Sequence, residues 1–250
     1  MSSAFAALAL APGLALGSFL NVVAARVPLK RSLVHPGSAC MSCSAPIAWY
    51  DNVPVVSYFV LRGKCRNCGA KIGWIYPAVE IVSALLVAAC VLDFGLTLEA
   101  AIAAFFCCVL VAISAVDLEH RIVPDRIVLP ATLVVLAAQM IRDPSPEWFI
   151  ASFCAALFLF LAVLVYPAGM GMGDVKLALL MGAALGKLVA VALMLGMIFA
   201  LVPGIYLLAR HGRAARKMGI PFAPFLALGS FVALFAGDFL LDWYLGILAA

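Results

Sequence analysis

The chain has 250 residues, 67% hydrophobic and 11% charged, with a mean hydropathy of +1.18 and a net charge of +4. A soluble fold of this size has too little interior to hide that much apolar surface. The composition therefore excludes an ordinary water-soluble enzyme, a nucleic-acid-binding protein and a disordered chain, and leaves a polytopic membrane protein.

A membrane helix needs about 20 mostly apolar residues. Candidate runs fall at 4–25, 78–94, 99–116, 126–142, 148–167, 175–186, 188–209 and 222–248. The expected fold is an all-α polytopic membrane protein with about eight transmembrane helices. It divides into a first transmembrane helix (1–26), a cytoplasmic insert (27–77) and a seven-helix core (78–250). The first run has no Lys or Arg ahead of it and meets Arg26 at its far end. That pattern predicts a retained helix with its N-terminus outside, not a cleaved signal.

The insert holds most of the polar character, with Pro28, Pro36, Pro46 and Pro54 as breakers. It also holds Cys40-Met41-Ser42-Cys43 and Cys65-Arg66-Asn67-Cys68, separated by 21 residues. Two residues between cysteines let both thiolates of a pair reach one ion from a tight turn. Two such turns complete a closed tetrahedral S4 site, which shapes the insert and leaves no open position for chemistry. Lys64 and Arg66 are placed to offset the thiolate charge. Two disulfides are disfavoured in a cytosolic segment, and a redox dithiol lacks its βαβ context. Cys90, Cys107, Cys108 and Cys154 lie in the apolar runs and read as small fillers. No repeat at a fixed period is expected.

Five acids remain at or near the inner ends of the runs: Glu80, Asp117, Glu119, Asp125 and Asp174. An acid beside hydrocarbon is costly and invites a functional reading. Asp117 closes the third run and Asp174 opens the sixth. Two carboxylates meeting there could hold one water between them. The ionised one would take its proton while the protonated one donates to a scissile carbonyl. Close like charges let such a pair share one proton. A helix start favours the anion, so Asp174 is expected to be the more acidic partner. Gly169, Gly171 and Gly173 would let an extended substrate backbone approach. Asp125 after Pro124 reads as a helix cap, and Glu80 as a cap or as the buried partner of an insert arginine.

The stretch 174–209 would measure about 54 Å as one helix, too long for a single pass. Gly186-Lys187 is the natural break. Splitting there places 14 of the 16 Lys and Arg inside, including the cluster Arg210, Arg213, Arg216 and Lys217. A single pass would put that cluster outside.

Several segments together resemble the type IV prepilin peptidase family, inner-membrane aspartic proteases of the G-x-G-D type. They are Gly17–Val23, the two C-x-x-C pairs, Leu61–Arg66, Tyr76–Glu80, Asp117–Asp125, Gly171–Lys176 and Ile220–Phe225. The resemblance implies cleavage of the basic leader of prepilins and pseudopilins at the cytoplasmic face of the bacterial inner membrane. It implies Asp117 and Asp174 as the catalytic pair, supported by Gly171, Gly173 and Lys176. It further implies zinc on Cys40, Cys43, Cys65 and Cys68, and S-adenosylmethionine-dependent methylation of the new N-terminal residue. The expected partners are prepilin substrates and membrane lipid. Two other readings are an assembly scaffold without catalysis and a proton-coupled transporter. The transporter would want its acids near the midplane, whereas these cluster at one interface.

Overall fold

The computed structural model describes residues 2–166, 170–212 and 219–248. Its helices are α1 (Ser2–Arg26), a short α2 (Val56–Val60), α3 (Ile75–Phe94), α4 (Leu98–His120), α5 (Asp125–Arg142), α6 (Glu147–Val165), α7 (Met172–Leu185), α8 (Val189–His211) and α9 (Ala223–Leu248). The eight long helices coincide with the eight expected runs, and the described residues form no sheet.

Among the described residues, six stretches are long and apolar enough to cross a membrane. The smaller count has two causes. Met172–His211 registers as one stretch, although Gly186, at φ +54, ends α7 and a single 3-10 turn precedes α8. Helix α5 carries Asp125, Arg126 and Arg142 within 18 residues. Residues 213–218, with Arg213, Arg216 and Lys217, lie outside the described residues, as does Gly169.

The chain forms two compact units, Met1–Val116 and Asp117–Ala250. In the first, α1 and α3 pair antiparallel through small residues. Ala6 packs with Ala88 and Val91 at one end. A Cβ on Gly13 would lie 2.6 Å from Ala84 Cα, and one on Gly17 would lie 2.5 Å from Glu80 Cα. At the other end Asn21 Nδ2 donates to the Tyr76 carbonyl at 3.0 Å. Lipid supplies no hydrophobic drive between helices, so close backbone approach and interhelical hydrogen bonds hold this pair.

The insert contains two copies of one turn, a duplication too short to give a repeat at a fixed period. Cys40 N–H donates to Ala45 O at 2.9 Å and Ser44 N–H to Cys40 O at 2.9 Å. Cys65 N–H donates to Ala70 O at 2.8 Å and Gly69 N–H to Cys65 O at 2.9 Å. The copies are offset by 25 residues (40 to 65, 43 to 68), and the pattern Cys-x-x-Cys-x-Ala-x-Ile-x-Trp recurs in both. Each copy turns through a left-handed residue, Ser44 at φ 57 and Gly69 at φ 70.

In the second unit α7 packs on α5 and α6, and α8 on α9. Gly182 lets α7 meet the Ala151–Ser152 backbone of α6, where a Cβ would come within 2.5 Å of Ala151 O. Gln139 Nε2 of α5 donates to Ala184 O of α7 at 3.1 Å. These contacts hold the far end of α7, the end opposite Asp174.

Candidate active site

Helix α4 runs one turn past the expected end, so Asp117 lies within its last turn and not at its close. The helix stops at Arg121, whose φ of 55 is left-handed, with Arg121 N–H donating to Asp117 O at 2.9 Å. The linker 121–124 leads into α5. Asp174 is the third residue of α7, after a non-helical Gly171 at φ −89 and ψ 155. At 14 residues α7 is about 21 Å long, short against about 30 Å of hydrocarbon. Met170 and Gly171, the non-helical residues just before it, line a cavity.

That cavity has a volume of about 550 Å³. Its wall comes from Asp117, from Arg121, Ile122 and Val123 of the linker with Asp125, from Met170, Gly171, Gly173, Asp174 and Lys176 around the start of α7, and from Gly219 to Phe222 before α9. Asp117 and Asp174 both face it, yet are only 6% and 8% exposed. Asp117 Oδ2 accepts the N–H of Ala223, the first residue of α9, at 3.0 Å. Asp174 Oδ2 accepts the Gly171 N–H at 3.3 Å. Each carboxylate is therefore steadied by a backbone N–H at a helix start. The asymmetry expected from Asp174's position alone is matched by Asp117's hold on α9.

Gly171 and Gly173 differ in role. A Cβ on Gly173 would lie 2.8 Å from Val123 Cβ, so this glycine lets the 121–124 linker lie against α7. A Cβ on Gly171 would meet nothing closer than 3.9 Å. Lys176 Nζ bonds Asp125 Oδ1 at 2.7 Å, joining the starts of α7 and α5. Asp125 is thus an ion-pair partner and not the cap read from the sequence; Pro124 holds the cap position. Glu119 and His120 are not in the cavity wall. The Ile220–Phe225 segment, to which sequence reading gave no role, supplies part of the wall and the N–H that holds Asp117. Its signal was present in Pro224 beside the helix start, a position proline favours.

In the first unit the sulfurs of Cys40, Cys43, Cys65 and Cys68 all lie within 4.8 Å of one another. Tetrahedral zinc–thiolate bonds of about 2.3 Å put sulfurs about 3.8 Å apart. Cys40 Sγ and Cys68 Sγ are 3.8 Å apart. The four cysteines could hold a metal ion. Backbone hydrogen bonds at Cys43 and Ser42 draw the Cys40 thiol down to about 6. Arg66 does not serve the thiolates as expected. It forks onto Asp51, Nε to Oδ2 at 2.7 Å and Nη2 to Oδ1 at 2.6 Å. Glu80 is buried and, among the described residues, meets no insert arginine: its Oε2 accepts the Val55 N–H at 2.7 Å.

The fold and this site define a polytopic helical membrane protein with two buried acids in one cavity at the ends of its helices. Residues 12–94 match the bacterial peptidase A24 N-terminal domain, and residues 104–205 match the type IV leader peptidase family. The chain is 35% identical over 237 residues to a prepilin leader peptidase/N-methyltransferase of Bacillus subtilis (strain 168), covering 93% of this chain and 95% of that one. It is 38% identical over 216 residues to a protein of the same description from Myxococcus xanthus (strain DK1622), covering 82% of this chain and 64% of that one. It is 33% identical over 264 residues to another from Pseudomonas aeruginosa, covering 93% and 91%. No solved structure matches. The chain belongs to the type IV leader peptidase family.

Proposed function

We propose that this chain is a membrane aspartic endopeptidase that removes the basic leader of prepilins and pseudopilins, and that it then N-methylates the residue it exposes. The observation that carries the peptidase reading is the pair of buried acids, Asp117 and Asp174, in the wall of one cavity. The names of the relatives carry the methylation reading, with S-adenosylmethionine as methyl donor.

In this account the pair holds one proton. The ionised carboxylate takes a proton from a water lodged between the two acids, and the oxygen of that water attacks the scissile carbonyl. The neutral acid donates its proton to the carbonyl oxygen. The tetrahedral adduct collapses when the leaving nitrogen is protonated, giving the leader's new carboxylate and the new N-terminal amine. Backbone N–H bonds from Ala223 and Gly171 keep the two side chains oriented. Gly171 keeps the wall low enough for an extended segment, Gly173 lets the linker lie against α7, and Lys176 ties the start of α7 to Asp125.

We read residues 27–77 as a structural insert whose four thiolates hold Zn²⁺, and 78–250 as the helical part that carries the acid pair. The charge distribution supports a bacterial inner-membrane placement with the cavity facing the cytoplasm, where the basic leader of a prepilin is also retained. Purified protein incubated with a prepilin and S-adenosylmethionine tests the assignment. Mass spectrometry of the pilin N-terminus is expected to show loss of the leader and a gain of one methyl group. An intact leader overturns the peptidase reading, and a cleaved but unmethylated terminus overturns the second activity alone.

A further inference from the structure

Helix α2 is inverted relative to a helix packed in water. Val56, Phe59 and Val60 stand at i, i+3 and i+4, the spacing of one helical face. They are 57%, 67% and 69% exposed. The polar Ser57 is the buried one, its hydroxyl accepting the Val53 N–H at 3.0 Å and donating to Tyr50 O at 3.1 Å.

The level at which α2 sits is set by a membrane span. Val55, immediately before α2, is bonded through its N–H to the carboxylate of Glu80. Glu80 lies five residues into α3, about 8 Å along that helix. The bond holds Val55 at φ 61 and ψ −50, with Val56 N–H on Pro54 O at 2.6 Å. A β-branched residue resists that γ-turn, so the buried carboxylate maintains a strained backbone that keeps α2 beside the span. The flanks fit the same level. Arg62 and Lys64 follow α2 and are exposed. Trp74, 72% exposed, stands at the residue before α3, where an amphipathic ring suits the membrane–water boundary.

We propose that α2 is seated in the bilayer interface: its Val56–Phe59–Val60 face lies among the acyl chains of the leaflet from which α3 enters, and Arg62 and Lys64 sit on anionic phospholipid headgroups. Phospholipid fits better than a protein partner, because Glu80 fixes this face level with the first turns of a span, where lipid is the surrounding medium. The short basic flank adds attraction to an anionic leaflet. The seating would hold the cysteine cluster close to the membrane surface. It does not depend on the peptidase assignment.

The test uses the full chain in nanodiscs of phosphatidylethanolamine and phosphatidylglycerol. A photoreactive benzoylphenylalanine replaces Phe59, and in a control replaces Leu85, which is 58% exposed on α3. Helical circular dichroism and elution volume matching the parent confirm that each variant folds. Irradiation followed by mass spectrometry is expected to give a phospholipid adduct on the peptide carrying position 59, as at position 85. That adduct should be richer in phosphatidylglycerol than the bulk lipid, and should fall to the bulk ratio when Arg62→Gln and Lys64→Gln are combined. Labelling of another part of the chain or of an added prepilin by position 59 overturns the proposal. So does the absence of lipid on 59 while 85 labels. An adduct with no phosphatidylglycerol excess overturns the headgroup contact.

Discussion

Asp117 in the last turn of α4 accepts the N–H of Ala223, the first residue of α9, across 106 positions of sequence. A helix start presents N–H groups without intrahelical partners, and here one of them is met by a carboxylate in the wall of the cavity. The bond orients Asp117, and it can be removed without touching the acid. Proline is accepted in the first turn of a helix and has no N–H. Ala223→Pro is therefore expected to leave the helix in place and to lower the turnover of prepilin cleavage by about 10-fold or more, the worth of a hydrogen bond to a charged group. The effect should fall on kcat with KM little changed. Steady-state kinetics on a prepilin checks it.

The two glycines before Asp174 should separate in mutagenesis. Gly173→Ala drives a Cβ to within 2.8 Å of Val123 Cβ, so the linker must shift. Overpacking of this kind costs about 1–3 kcal/mol. Gly171→Ala meets nothing closer than 3.9 Å, and φ −89 suits any residue. Thermal unfolding in detergent should show a clear loss for the first and little change for the second.

The Lys176–Asp125 pair is short but its side chains are 34% and 55% exposed. Such pairs contribute about 0.2–1 kcal/mol. Lys176→Gln should therefore cost little stability, and a double-mutant cycle with Asp125→Asn should return a coupling energy within that range. A larger value would mean that the pair is shielded in a way its exposure does not indicate.

In the insert, the Arg66 guanidinium holds the Asp51 carboxyl below the usual carboxylate range. A group with a depressed folded value stabilises above its unfolded pKa and loses that contribution as pH falls through the folded one. The contribution is thus constant between pH 6 and 8. Asp51→Asn should speed metal loss to a chelator at pH 7, and the ratio of the two rates should not vary across pH 6 to 8. Any pH trend there belongs to the thiolates, whose deprotonation accompanies metal binding.

Much of this was legible before the fold. The apolar runs give the eight long helices because helix length is dictated by bilayer thickness. The C-x-x-C pairs announce an S4 cluster because ligand spacing is local. Less visible was what depends on distant partners. Nothing near Asp117 in sequence points to Ala223, and nothing near Glu80 points to Val55. Asp125 read as a cap from its neighbour Pro124, but its partner Lys176 is 51 positions away. The α1–α3 pairing was there to be read in Gly13 and Gly17, four residues apart, the small-residue spacing of close-packed membrane helices. The duplicated cysteine turn escaped because two short copies make no periodicity.

The central claim is that Asp117 and Asp174 act as one unit, and single-site amides measure it most directly. Asp117→Asn and Asp174→Asn each preserve shape while removing an ionisable group. Each variant, reconstituted and supplied with prepilin at saturating concentration, is predicted to bind substrate yet lose leader removal by roughly 1000-fold or more, with the double variant no worse than either single one. Cleavage at near wild-type rate by either variant would contradict the account.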